Sequence, residues 1–357
     1  MVLQKGEDGL NFEQTINQEL SMRYYSFLVL CAAVVPSVYA IEPIPKESGF
    51  SGFINLGAGV TSVESNTLAK FGSVELGDNT IDSLSQSPDS ETAGLPVIGL
   101  EVAYTFASTR TQIFLGNQLE DYIRFDFSTR AGIRQEIGKA GVIGASFLQT
   151  PLATEVWEDP FVIGTGRSKT DRTSNGYRLI WDQVYGTALE LRYSAREVDI
   201  DSERSGEALA LSASDRDLLD RNGDSNRFSA EYTFKRDGLK HIITPAIAYL
   251  DEDRNGGATA YDGLAFSVNY IYLMNNRWRF VTNASFANLG YDEANPVFGT
   301  KADSERYGVS FTAFYAQPFG WKGWLANAGA VWFEEDSDID FYDASVGLIN
   351  AGMLYRF

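Results

Sequence analysis

The chain has 357 residues, with 48 acidic against 29 basic side chains and a formal net charge of -19. Aromatics make up 13% and hydrophobic residues 44%, yet the mean hydropathy is only -0.18. These values exclude a disordered chain, a helical membrane protein and a basic nucleic-acid-binding surface.

One apolar run stands out, Met22 to Ala40 (MRYYSFLVLCAAVVPSVYA). Arg23 supplies a short positive start, Phe27 to Val35 an apolar centre, and Val38-Tyr39-Ala40 a small-residue cleavage site. The pattern predicts a secretory signal peptide over 22–40. Residues 1–21 are polar and have no place ahead of such a start, so they are read as a misassigned upstream extension, with Met22 as the first residue. Cys31 is preceded by Leu30, whereas a lipoprotein signal needs a small residue there. The mature chain from Ile41 then has no cysteine and no disulfide. Removing the four acids and two bases of residues 1–40 leaves 44 acids against 27 bases, a net of -17.

Residues 41–49 (IEPIPKESG) carry two prolines and read as an extended periplasmic lead-in. Phe50 to Val60 then alternates, with Ile54, Leu56, Ala58 and Val60 on one face and Asn55, Gly57 and Gly59 on the other. That period of two marks a strand with one apolar face. The run EPIPKESGFSGFINLGAG at residues 42–59 resembles the start of a family of uncharacterised bacterial outer-membrane barrels, known only as a domain of unknown function. The resemblance implies a single barrel over the whole mature chain and assigns no activity.

Further alternating segments follow at 95–107, 110–118, 121–136, 141–150, 175–184, 187–198, 226–235, 240–251, 261–273, 277–289, 305–316, 322–334 and 341–357. With 50–61 they make fourteen. A membrane strand needs about 9–11 residues, whereas soluble strands average about 5–6, and these segments match the longer class. Connections alternate between short ones, such as Tyr185-Gly186, and long ones at 62–94, 151–174, 199–225, 252–260, 290–304 and 335–340. Short periplasmic turns and long outer loops are the habit of outer-membrane barrels. The exception is Leu119-Glu120, where a long connection is due; if the hairpin 110–136 is misread, the count becomes twelve. The sequence therefore predicts an all-β, transmembrane, antiparallel up-and-down barrel over 50–357, in the bacterial outer membrane after export across the inner membrane.

The last segment, FYDASVGLINAGMLYRF, ends on Phe357 with Tyr355 on the same face. An interfacial aromatic there suits a barrel wall, and the ending resembles the signal by which the barrel-assembly machinery recognises its clients. Outer-membrane lipid, lipopolysaccharide and that machinery are the expected partners, with no nucleic acid among them; the oligomeric state is open.

Four sets of residues could carry chemistry. Facing away from the apolar sides are Arg124, Asp126, Arg130, Arg134, Arg178, Asp182, Glu190, Arg192, Arg196, Arg227, Glu231, Lys235, Arg279 and Arg306. A lumen so rich in bases favours anions, and Arg124, Arg130, Arg178, Arg192, Arg196 and Arg227 are the candidate pore-lining residues. Asp251, Asp253 and Asn255 match the first half of a calcium loop, D-x-D-x-N-G, but their flanks read as strands where an EF-hand needs helices. The single histidine, His241, follows a short turn at the periplasmic end; no G-x-S-x-G elbow accompanies it, and no enzyme or cofactor is expected. The aromatics, among them Tyr104, Trp181, Tyr193, Tyr272, Trp278, Trp332 and Tyr355, read as interfacial girdles.

The leading function is a passive channel for small hydrophilic solutes with anion preference. The alternatives are a non-conducting barrel acting through its acidic outer loops in surface interaction or envelope integrity, and a hydrophobic-substrate transporter, for which residues 41–49 are too short to form a plug. Loop 62–94 separates the first two: folded inward it narrows a pore, standing clear it offers a surface.

Overall fold

The computed structural model describes residues 43–121 and 123–357; the expected signal peptide at 22–40 and the expected extension at 1–21 lie outside the described residues. Strands form where the alternation predicts them. They are β1 Gly49–Ser65, β2 Ser90–Phe106, β3 Thr111–Asp121, β4 Asp126–Glu136, β5 Val142–Gln149, β6 Lys169–Asp182, β7 Leu189–Ile200, β8 Gly223–Tyr232 (continued by Phe234–Arg236), β9 His241–Arg254, β10 Tyr261–Leu273, β11 Trp278–Tyr291, β12 Ser304–Ala316, β13 Trp324–Ser337 and β14 Ala344–Arg356. Each pairs antiparallel with its sequence neighbours. β1 closes the ring on β14, from Phe53↔Arg356 to Ser65↔Ala344. The result is a closed fourteen-stranded barrel with no free edge, which is what a sheet in lipid requires.

The two faces separate by composition. On the outside, Leu56, Val60, Leu115, Phe147, Leu179, Phe266, Val309 and Ile349 are exposed, forming the apolar band for the acyl chains. Aromatics border it at both ends. Near the short turns Phe50, Tyr104 and Phe106 stack edge to face, as do Trp321 and Trp324, while Tyr355 and Phe357 follow in line. Towards the long loops stand Tyr177, Tyr249, Tyr307 and Trp332. His241 belongs to the first girdle. Its Nδ1 is 2.8 Å from the Tyr270 hydroxyl, and its ring stacks on Tyr272.

The short turns are made by residues in the left-handed region, as at Asp237-Gly238-Leu239 and Gln317, Phe319 and Gly320. The lead-in is tied to the same end: Arg110 donates to the carbonyls of Ile44 (2.6 Å) and Pro45 (2.5 Å), and Ile44 is buried.

At the other end the strands outlast the apolar band, and the loops close over the mouth. The short strand Thr154–Trp157 pairs with the top of β6, Leu68–Phe71 pairs with it in turn, and Val74–Glu75 adds beyond. Leu68, Phe71, Val74 and Leu76 pack against Val63, Leu95, Val97, Ile200 and Val346. The sequence reading placed the β3–β4 connection at Leu119-Glu120. The structure corrects this: β3 runs on to Asp121, residues 123–125 are turn, and β4 starts at Asp126. Ile123, Phe125 and Phe127 continue the lipid-facing side of β4 in sequence, yet all three are buried. Phe71 covers Phe125 and Phe127, with ring centroids 5.6 and 6.4 Å apart.

Candidate functional site: an arginine-lined lumen beneath a loop lid

Strand alternation alone turns Arg178, Arg192, Arg196 and Arg227 into the lumen from β6, β7 and β8. The β3–β4 tip adds Arg124 by reaching across the barrel. Its Nη1 is 3.2 Å from the Tyr261 hydroxyl at the start of β10, and its Nη2 lies 4.0 Å from Glu335 of β13. Between these elements lies a cavity of about 320 Å³ lined by eight arginines, namely 124, 172, 178, 192, 196, 227, 254 and 306. Five of the six candidate pore-lining residues are thus at its wall. Arg130 is not: it is held against Glu101 at 2.7 Å, with its guanidinium 5.3 Å from the Phe114 ring.

The arginines are ordered by carboxylates. Glu120 accepts from Arg178 at 2.7 Å and lies 3.6 Å from Arg196, while Asp126 accepts from Arg196 at 2.6 Å. Arg192 pairs with Glu190 and lies 4.0 Å from Glu231, and Arg254 pairs with Glu252. Glu335 accepts from Arg306 at 3.0 Å, and the Tyr261 ring lies between Arg124 and Arg306, 5.7 and 5.2 Å from their guanidinium carbons. Arg172 differs: among the described residues its guanidinium has no hydrogen bond or ion pair. Eight arginines therefore face six carboxylates. The basic excess is real but smaller than sequence suggested, because Glu120, Glu252 and Glu335 also turn inward.

Arg172, Arg254, Glu120, Glu252, Glu335 and Tyr261 were not among the inward residues read from sequence. The alternation that carries them continues past the apolar band, as in Thr170-Arg172-Ser174 and Glu252-Arg254. With no lipid-facing side chains to mark the strand, those stretches look like loop.

A lid covers the cavity. Phe341 stacks on Phe161 at 5.3 Å and packs with Phe298 at 5.7 Å, around buried Leu219, Ala258, Ala302 and Ile339. Six different loops meet there. Arg167 ties two of them, donating to Asn66 O (2.8 Å), Pro160 O (3.3 Å) and Asp78 O above the Trp157 ring. Burial pulls its pKa down to about 10. Asp159 ties a further pair, accepting from Phe161 N, Gly206 N and Ala208 N. Loop 62–94 is part of this lid and folds inward over the mouth. Under it lies a second cavity of about 130 Å³, which shares Ile123, Arg124, Arg172, Arg254 and Tyr261 with the first.

The calcium candidates do not converge. β9 runs straight through to Arg254, so Asp251 and Asp253 face outward and Glu252 inward, while the Asn255 amide donates to Asp220. No group of three His, Cys, Asp or Glu among the described residues is placed to hold a metal.

The chain is similar to several solved outer-membrane proteins. A Pseudomonas aeruginosa FadL homologue is 9% identical over 89% of this chain and 92% of its own, with a TM-score of 0.43. The P. putida toluene transporter TodX is 12% identical over 92% of each chain, with a TM-score of 0.43. An anion-selective porin from Comamonas acidovorans is 9% identical over 87% and 100%, with a TM-score of 0.39. No curated protein matches the sequence. The family described as "Protein of unknown function (DUF2860)" matches residues 49–356, which are the first residue of β1 and the last of β14. The match runs the whole length of the barrel, and the chain belongs to that family.

Proposed function

We propose that the barrel is a passive channel that favours small anions. The observation that carries this reading is the 320 Å³ lumen cavity, whose wall holds eight arginines against four carboxylates (Glu120, Asp126, Glu231 and Glu252), in a chain that is acidic overall. Small eight-stranded barrels are filled by side chains and sixteen-stranded porins hold open water; fourteen strands lie between, and here space remains at the arginine level. Charges on the wall of a narrow path set which ions pass.

The test is conductance of the folded mature protein in a planar bilayer under a salt gradient. Steps with an anion-side reversal potential are expected, and Arg192→Glu with Arg227→Glu should move that potential towards cations. A folded barrel that never conducts would overturn the channel. The lid favours that second reading, a closed barrel acting through its outer surface, because Phe161 and Phe341 are almost fully buried among the loops.

A further inference from the structure

The two cavities meet at one ring of residues, and their walls differ. Below the junction the wall carries eight arginines, with small residues such as Ala248, Ala265 and Ser267 opposite them. Above it, Leu68, Val156, Phe161, Ile200, Leu219 and Ala258 form the apolar side of a pocket of about 130 Å³, whose other side carries Arg124, Arg172, Arg221, Arg254 and Glu335. A cavity of roughly 150 Å³ admits one benzene ring, so the volume beside this apolar side suits a single ring or a compact aliphatic group. Arg172 stands at the junction, lines both cavities, and has no hydrogen bond or ion pair among the described residues. The half-buried guanidinium feels the charges of Asp126 and Glu252 without a hydrogen bond to either, and a carboxylate is its best-matched ligand because two oxygens meet its fork of donors. Arg254 and Arg124 flank the same point, each already held by a carboxylate.

We infer that this junction binds a small organic carboxylate, its charged group on Arg172 and its apolar body in the pocket beneath the lid. The inference rests on the lumen being an anion path and specifies which anions it selects. A purely inorganic anion leaves the upper pocket empty. A neutral hydrocarbon leaves Arg172 unpaired. Only a molecule with both parts satisfies both walls.

The experiment is calorimetric titration of the folded protein in detergent with benzoate, acetate and benzyl alcohol, beside the bilayer measurement. Benzoate should bind at least about tenfold tighter than either of the others, since each lacks one of the two contacts. Arg172→Gln should remove most of the benzoate affinity, and Arg172→Lys should restore part of it. Ile200→Ser should weaken benzoate but not acetate. Equal affinity for benzoate and acetate, or unchanged affinity in folded Arg172→Gln, overturns the site. An anion-selective channel with no benzoate preference would sink this inference alone; benzoate binding by a barrel that never conducts would keep the site and sink the channel.

Discussion

The two halves of the inner wall are built differently. From β3 to β8 the inward side chains are long and charged, and most are locked in pairs: Arg134 with Asp182, Arg178 with Glu120, Arg196 with Asp126 and Arg192 with Glu190. From β9 to β12, facing the arginine cavity, they are mostly small: Ala246, Ala248, Ala265, Ser267, Ser285 and Ala287. Towards the turns that same half becomes apolar, with Ile271, Val281, Phe314 and Leu354 packed together. On this division, one half supplies the charge and the other the room. A barrel of this width with long side chains all round would close, and one with small side chains all round would be unselective.

Filling the small half should have the largest effect. Ser267 faces the cavity, whereas its neighbour Phe266 points to lipid. Ser267→Trp places a large rigid ring where the arginines have space, and conductance should fall at least about tenfold. Phe266→Trp on the same strand should leave it unchanged. If both variants conduct like the parent, the path does not run along this wall.

Breaking the charged half should act on stability and selectivity together. Glu120 is the carboxylate shared by Arg178 and Arg196, whose side chains are only 4% and 7% exposed. Glu120→Gln leaves the two arginines with one negative charge fewer, at a cost of about 3 kcal/mol in unfolding from lipid vesicles. The freed positive charge should also strengthen anion preference. Loss of stability without a shift in reversal potential would show that this pair holds the wall without facing the ions.

How much of this was legible follows from what each residue faces. The wall strands could be read because lipid on one side and water on the other impose a strict alternation, as in Leu189, Leu191 and Tyr193 against Glu190 and Arg192. Above the bilayer that constraint ends. Phe125 and Phe127 look lipid-facing but lie under Phe71, a contact between residues over fifty positions apart that no local pattern encodes. Arg172 and Glu335 escaped for the same reason, since their strands continue into acidic stretches with polar residues on both faces. The direction in which loop 62–94 folds was likewise hidden, because it depends on Val63, Leu95 and Val346 offering an apolar floor inside the mouth.

The smallest effect belongs to the seam beyond both halves, along β13, β14 and β1, and it tests whether that stretch of wall is more than filler. Asn327 of β13 donates to the Asn55 side-chain oxygen of β1 at 2.7 Å, across the intervening β14, and both are buried. The bridge runs diagonally, since Gly352 of β14 is opposite Asn327 on one side and Gly57 on the other, while Asn55 is opposite Leu354. Asn327→Ala removes the donor and strands the Asn55 oxygen, for a cost of about 1–2 kcal/mol. Replacing both asparagines by alanine should cost less than the sum of the single changes, because no polar group is then left unpaired. Conductance should not move in either variant, since neither residue borders the arginine cavity. If it does move, the polar seam along β13, β14 and β1 is part of the path, which then extends beyond the two halves that face the arginine cavity.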